Sequence, residues 1–428
     1  MTRSALLAAA LLSPATASAF CGTYVGGAGA ELYADVAEVA IVRSGDKTTL
    51  TMANDVHGSF DDFALVLPVP EVVEEQMVRV VDPSVFGRLD RYSEPRLVEY
   101  VCEDFARYES ADDTGDSIIL GGDDGGFDDG VEVEAEYIVG EYDIVVLSAE
   151  QSSSLLTWLD DNGYAVPETS RVMLQEYIDS GMYFLAAKIA ASAGVEPGDV
   201  LSPLQLTYGT DAFSIPIRLG TLNARGPQDL IVYAINSYGD GRVAISNYPE
   251  FQIEDECLWS QDGDEDFGAF YVRLFEQTWE RGAKAGWVTE YAWGGSGCDP
   301  CVGTPPGEAE LDILGYDQSY RTVYDVYFTR LHMRYTADQA TTDVGLYFTG
   351  LDEQTQQRYI RHEPYMEDRY PHCELGWDPS PRSCVTEGYL DEDGYLVDDD
   401  GLFNCSTGGS AVGVWALVAL GLRRRERA

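Results

Sequence analysis

The sequence predicts an α+β fold, with antiparallel, sandwich-like β regions and an inserted helix pair. Three observations predict it. Stretches within 31–70 and 204–350 alternate β-branched or aromatic residues with polar ones. Two segments between 148 and 180 instead repeat apolar residues at helical spacing. Glycine-bearing turns punctuate the alternating runs.

Residues 37–55 alternate around Ser44-Gly45-Asp46, a hairpin signature. The run FALVLPVP (63–70) is nearly all apolar and predicts a buried strand closed by Pro68 and Pro70. Asp82-Pro83 opens a helix to about Arg91, before extended chain resumes at 96–101. Strands follow at 131–139 and 142–147. Ser148 and Gln151 have capping-box spacing for a helix carrying Leu155, Trp158 and Leu159 and ending at Gly163. A second helix over 168–180 would turn Val172, Leu174, Tyr177 and Ile178 to the core and close at Gly181. Strands return over 204–247, a helix over 268–281, and strands again at 287–293, 322–336 and 344–350. The expected organisation is therefore a signal peptide (1–19), a β-rich region (20–147) with an acidic insert (112–130), and the helix pair (148–200). A second β-rich region (201–358), a linker or stalk (359–404) and a sorting or membrane segment (405–428) complete it.

Both ends read as addresses. Arg3, the apolar run 5–12 and the small residues Ala17 and Ala19 make a secretory signal with cleavage after Ala19. At the other end Cys405 precedes the uncharged run 408–422 and then Arg423, Arg424 and Arg425. Fifteen residues fall short of the about 20 that a comfortable membrane span needs. The arginines would stay on the cytoplasmic side, with the bulk of the chain outside that membrane. The cysteine, weak helix and arginine cluster resemble the MYXO-CTERM sorting tags of myxobacterial surface proteins. That resemblance implies removal of the helix by a sorting protease and retention through Cys405. An ordinary single-span anchor is the alternative.

The formal net charge is −47, from 74 acidic and 27 basic residues. A surface this acidic repels nucleic acid and anionic bilayers, so neither is expected as an electrostatic partner. Solubility in salty surroundings explains the charge, with weak Ca2+ binding by acidic loops as the sharper alternative. Asp262, Asp264 and Asp266 alternate as in an EF-hand, but Phe267 and Arg273 stand where glycine and glutamate are needed. Asp123, Asp124, Asp128, Asp129 and the run 398–400 are looser clusters, more simply solvated loops.

Eight cysteines in an exported chain argue for disulfides. Candidates are Cys21 with Cys102, Cys373 with Cys384, and Cys298 with Cys301, while connectivity stays open. The CDPC pair lies in turn material (WGGSG before, VGTPPG after), which favours a staple over a redox helix. Zinc would need further ligands from only four histidines, His57, His332, His362 and His372. The strand 328–335 places Arg330, His332 and Arg334 on one face and apolar residues on the other. Three cations in a row could contact an anion through bidentate arginine bonds. They could equally pair with acids on neighbouring strands.

Seven blocks occur in order: DFALVLPVP (62–70), EPRLVEY (94–100), LTWLDDNGYAVP (156–167), SPLQLTY (202–208), PIRLGTLNARGPQDLIVYAI (216–235), CDPC (298–301) and FTRLHMRYT (328–336). Together they resemble domain-of-unknown-function family 2330 of secreted bacterial proteins, over about 21–359. The resemblance implies an envelope location and one folded unity, and it brings no activity. No G-x-S-x-G, H-E-x-x-H or phosphate-cradling loop is present. The expected protein is a cell-surface protein held by its C-terminal tail, structural or ligand-binding, with no catalytic or metal-ligating set assigned. A secreted hydrolase acting on glycans or peptidoglycan through carboxylates is the alternative.

Overall fold

The computed structural model describes residues 23–24, 36–54, 64–98, 131–190, 193–194, 201–260, 266–295, 304–317 and 322–362, except 165, 225, 283 and 352. It also describes 367, 370–373, 389–390 and 396–397. The chain forms two units, one to Trp377 and one from Asp378. In the second, Tyr389–Leu390 pairs antiparallel with Leu396–Val397.

In the first unit, Ala37–Ser44 and Lys47–Asn54 form the expected hairpin, with Gly45 at φ +64° in its two-residue turn. They lie inside an eight-stranded sheet. Its order is Thr355–Gln356, Ala285–Gly294, Val326–Tyr335, Gln228–Ser237, Ala37–Ser44, Lys47–Asn54, Leu201–Gly209 and Val78–Val80. All junctions are antiparallel except that of Gln228–Ser237 with Ala37–Ser44, so this sheet is mixed. A five-stranded antiparallel sheet runs Thr23–Tyr24, Ala64–Val69, Tyr183–Ile189, Tyr142–Ala149, Val131–Val139.

The two sheets pack face to face. Val39, Ile41, Leu50, Val232, Leu331 and Met333 from the larger meet Leu65, Leu67, Ile144, Val146 and Leu185 from the smaller. Helices cover the outer faces. On the smaller sheet, α2 (Ser152–Asp161) and α3 (Arg171–Asp179) bury Leu155, Leu159, Leu174 and Tyr177 against Val66, Phe184 and Ala186. On the larger, α1 (Ser84–Ser93) and α5 (Glu308–Ile313) bury Phe86, Leu89 and Leu311 with Tyr233 and Ile235. Alongside, α4 (Phe267–Arg281) sets Phe270, Leu274, Phe275 and Trp279 against Val288 and Tyr359.

The α+β class holds, with several local corrections. The β regions expected at 20–147 and 201–358 are interleaved rather than successive, because the N-terminal hairpin sits among the late strands. The helix pair lies outside the sandwich. Ser148 does not cap α2: its strand continues to Ala149, paired through Glu132, and its hydroxyl donates to Glu134 Oε1 at 2.6 Å. Val172 is 69% exposed. At about 100° per residue it stands roughly opposite Leu174, which faces the sheet. Residues expected to begin the stalk belong to the first unit, where Arg358–Arg361 is a strand and Cys373 is tied to Cys257. That bond replaces the expected pairing of Cys373 with Cys384.

Among the described residues no helix is long and apolar enough to cross a membrane. The apolar run 408–422, Ala17, Ala19, Cys405 and Arg423 to Arg425 lie outside them, as do Cys21, Cys102, Cys298, Cys301, Cys384 and the insert 112–130.

Candidate functional site

Val326–Tyr335 lies one strand in from Ala285–Gly294 in the larger sheet, and its alternation decides what each face meets. Leu331, Met333 and Tyr335 enter the sandwich core. Arg330, His332 and Arg334 point the other way, beneath α1 and α4, and meet acids that those helices and the adjoining strands supply.

Glu290 is the centre of this ladder. The neighbouring strand bulges there: Thr289 pairs with Leu331 and Tyr291 with Arg330, leaving Glu290 without a partner in the register. A bulge turns consecutive side chains to one side, and Glu290 joins Tyr291 on the helix-covered face. Glu290 is 1% exposed. It accepts from Arg330 Nε at 2.5 Å, from His332 Nδ1 at 2.9 Å and from the Tyr271 hydroxyl of α4 at 2.7 Å. Arg330 also donates through Nη1 to Asp90 Oδ1 of α1 at 2.5 Å, and its guanidinium lies over the Tyr233 ring. The other nitrogen of His332, Nε2, lies 3.0 Å from Asp229 Oδ1, and Phe275 stacks on the imidazole at 3.9 Å. Asp229 takes a two-pronged contact from Arg334, Nε and Nη2 both at 2.7 Å. Glu276, on the exposed side, reaches Arg334 at 3.5 Å.

The charges fix one another. Burial alone would push the Glu290 carboxyl up, but the Arg330 and His332 charges outweigh it and hold it at about 2. Asp229 stands likewise at about 2, where burial is outweighed by the bonds from His332 and Arg334. Burial would discharge His332, yet the Glu290 charge and the bonds to Asp229 and Glu290 raise it to about 8. With a carboxylate on each ring nitrogen, His332 is held as the imidazolium. Near neutral pH the carboxylates are too weak to act as bases, and the imidazolium is sandwiched between acids and Phe275. Each of Asp229, Glu290 and His332 is thus held in one charged form by its neighbours.

Arg330, His332 and Arg334, the candidate anion contacts, are thus brought together. An incoming anion would have to displace Asp229, Glu290 or Asp90 to reach them. Glu290, Asp229, Asp90 and Tyr271 are the members that sequence reasoning missed. The signal was there for Glu290, a lone acid inside the apolar run WVTEYAW. For Asp229 it was the alternation with Ile231 and Tyr233 on one face.

Of the EF-hand-like aspartates, Asp266 caps α4 by accepting from Ala269 N at 2.8 Å, while Asp262 and Asp264 lie outside the described residues. So do Asp123, Asp124, Asp128, Asp129 and 398–400. Among the described residues, one trio gathers potential metal donors within 4.8 Å of one another: His362, Glu367 and His372.

A family model described as "Uncharacterized protein conserved in bacteria (DUF2330)" matches residues 14–347. No curated protein and no solved structure matches the chain.

Proposed function

The chain belongs to the DUF2330 family, and from that premise we propose that it is an exported, non-catalytic cell-surface protein, structural or ligand-binding. It is held at the envelope through its C-terminal segment. The observation that carries the reading is the Cys257–Cys373 disulfide, which joins positions 116 residues apart. Such bonds persist in oxidising compartments and are rare where thiols are kept reduced. Cleavage after Ala19, and attachment through Cys405 with loss of the segment bearing Arg423, Arg424 and Arg425, complete the proposal. The non-catalytic part rests on the ladder, in which Asp229, Glu290 and His332 hold one another in their charged forms.

The test is protease treatment of intact cells, with differential alkylation of Cys257 and Cys373. The proposal expects the protein to be digested without lysis and both cysteines to be protected until reduced. Digestion only after lysis, with both thiols free, would refute it.

A further inference from the structure

His362 and His372 are two of the chain's four histidines, and the fold brings them together across one short strand. Leu258–Trp259 pairs in parallel with Arg358–Arg361 on one side, and His362 N donates to Trp259 O at 2.8 Å just beyond that strand's end. On the opposite edge Leu258 N donates to Pro371 O at 2.7 Å and Cys373 N to Leu258 O at 2.9 Å, so His372 forms a parallel bridge with Leu258. The disulfide then clamps the edge, since Cys257 immediately precedes Leu258 and Cys373 immediately follows His372. Both backbone positions are fixed by the same strand. Their rings lie 5.1 Å apart.

Between them stands Glu367. Its Oε1 is 2.7 Å from His362 Nε2 and 3.6 Å from His372 Nε2. Tetrahedral Zn2+ with bonds of about 2.0–2.1 Å separates its donors by roughly 3.3 Å. The two observed distances bracket that value, and small rotations of exposed side chains would meet it. Glu367 and His372 are each at least half exposed and His362 about a quarter, so an ion can arrive from solvent.

We propose that His362, Glu367 and His372 form a site for a divalent transition-metal ion, Zn2+ foremost. Two imidazoles and one carboxylate suit Zn2+ and its neighbours better than Ca2+ or Mg2+, which prefer all-oxygen shells. Three protein donors leave a fourth tetrahedral position for water or for a donor from a second molecule. The site is distinct from the acidic loops, whose chemistry would favour calcium.

The test is calorimetric titration of the full chain with ZnCl2 at pH 7.5, in excess Mg2+ and Ca2+ to occupy the many carboxylates. Titration with Co2+ adds a visible-absorption readout of four-coordinate geometry. The proposal expects one ion per chain and a loss of about 100-fold in affinity for His362→Ala or His372→Ala. Glu367→Gln, which keeps both imidazoles, should lose about 10-fold. Binding should weaken on reduction of Cys257–Cys373, which clamps the edge that carries His372. Near-UV circular dichroism would establish that the variants are folded, and if either histidine variant is not, Glu367→Gln decides. No one-to-one binding above the Mg2+ and Ca2+ background, or parental affinity in the folded variants, would overturn the site.

Discussion

Glu290→Gln is the sharpest perturbation of the ladder, because it removes a charge and almost no volume. The glutamine side chain would fill the same space beneath α4, so no cavity contributes. What changes is the compensation of Arg330 and His332, which lose the buried partner they share. The carboxyl sits at about 2 in the folded protein against 4.5 for an ordinary glutamate. At about 1.4 kcal/mol per pKa unit, that difference stabilises the neutral-pH fold by about 3 kcal/mol. Breaking a buried pair by removing one partner generally costs about 3–5 kcal/mol, in agreement. For a body of this size the melting temperature should fall about 4–5 °C. Because the folded value lies below the unfolded one, the contribution is complete above about pH 4.5 and lost as pH falls toward 2. Urea denaturation at pH 6 and pH 3 reads both effects: the two proteins should differ widely at pH 6 and by less than half as much at pH 3. Glu276→Gln, at the exposed end, should change stability by less than about 1 kcal/mol. A Glu290→Gln protein within about 1 kcal/mol of the parent at pH 6 would refute the ladder's structural role.

Three further outcomes follow from other parts of the molecule. His332 titrates at about 8 in the fold against an ordinary 6.5, so its contribution is complete below about pH 6.5 and lost as pH rises through 8. Urea midpoints from pH 6 to pH 9 should show roughly 2 kcal/mol of loss that His332→Phe lacks. Cys257→Ser with Cys373→Ser opens a tie across 116 residues and should cost about 4–5 kcal/mol on the chain-entropy account, matched by adding reductant to the parent in a thermal melt. Gly241→Ala should cost about 2–4 kcal/mol in urea denaturation, since φ is +70° and a Cβ would collide with the Leu351 backbone.

Local signals in the sequence located the elements well. The 37–54 hairpin, α1, α4 and the glycine stops of α2 and α3 depend on neighbours a few residues away, and alternation, caps and turns report these directly. Sheet order did not follow, because the junction between Ala37–Ser44 and Gln228–Ser237 is set by packing across nearly the whole body. The same applies to Cys257, whose partner is chosen by the Leu258 bridge rather than by spacing. In the ladder, alternation correctly put Arg330, His332 and Arg334 on one face. It could not foresee that a bulge on the adjacent strand would turn Glu290 toward them. The helical faces fell between these cases: Leu174 and Tyr177 were legible, while Val172 stands on the other side of α3 and only helix docking reveals it.

Mass spectrometry of the intact protein taken from its native cell envelope tests the proposed surface role most directly. The account predicts a chain beginning at Phe20, lacking the arginine-bearing terminus after Cys405, and carrying the Cys257–Cys373 bond. A full-length chain from Met1 to Ala428, recovered from cytosol with every cysteine reduced, would contradict it.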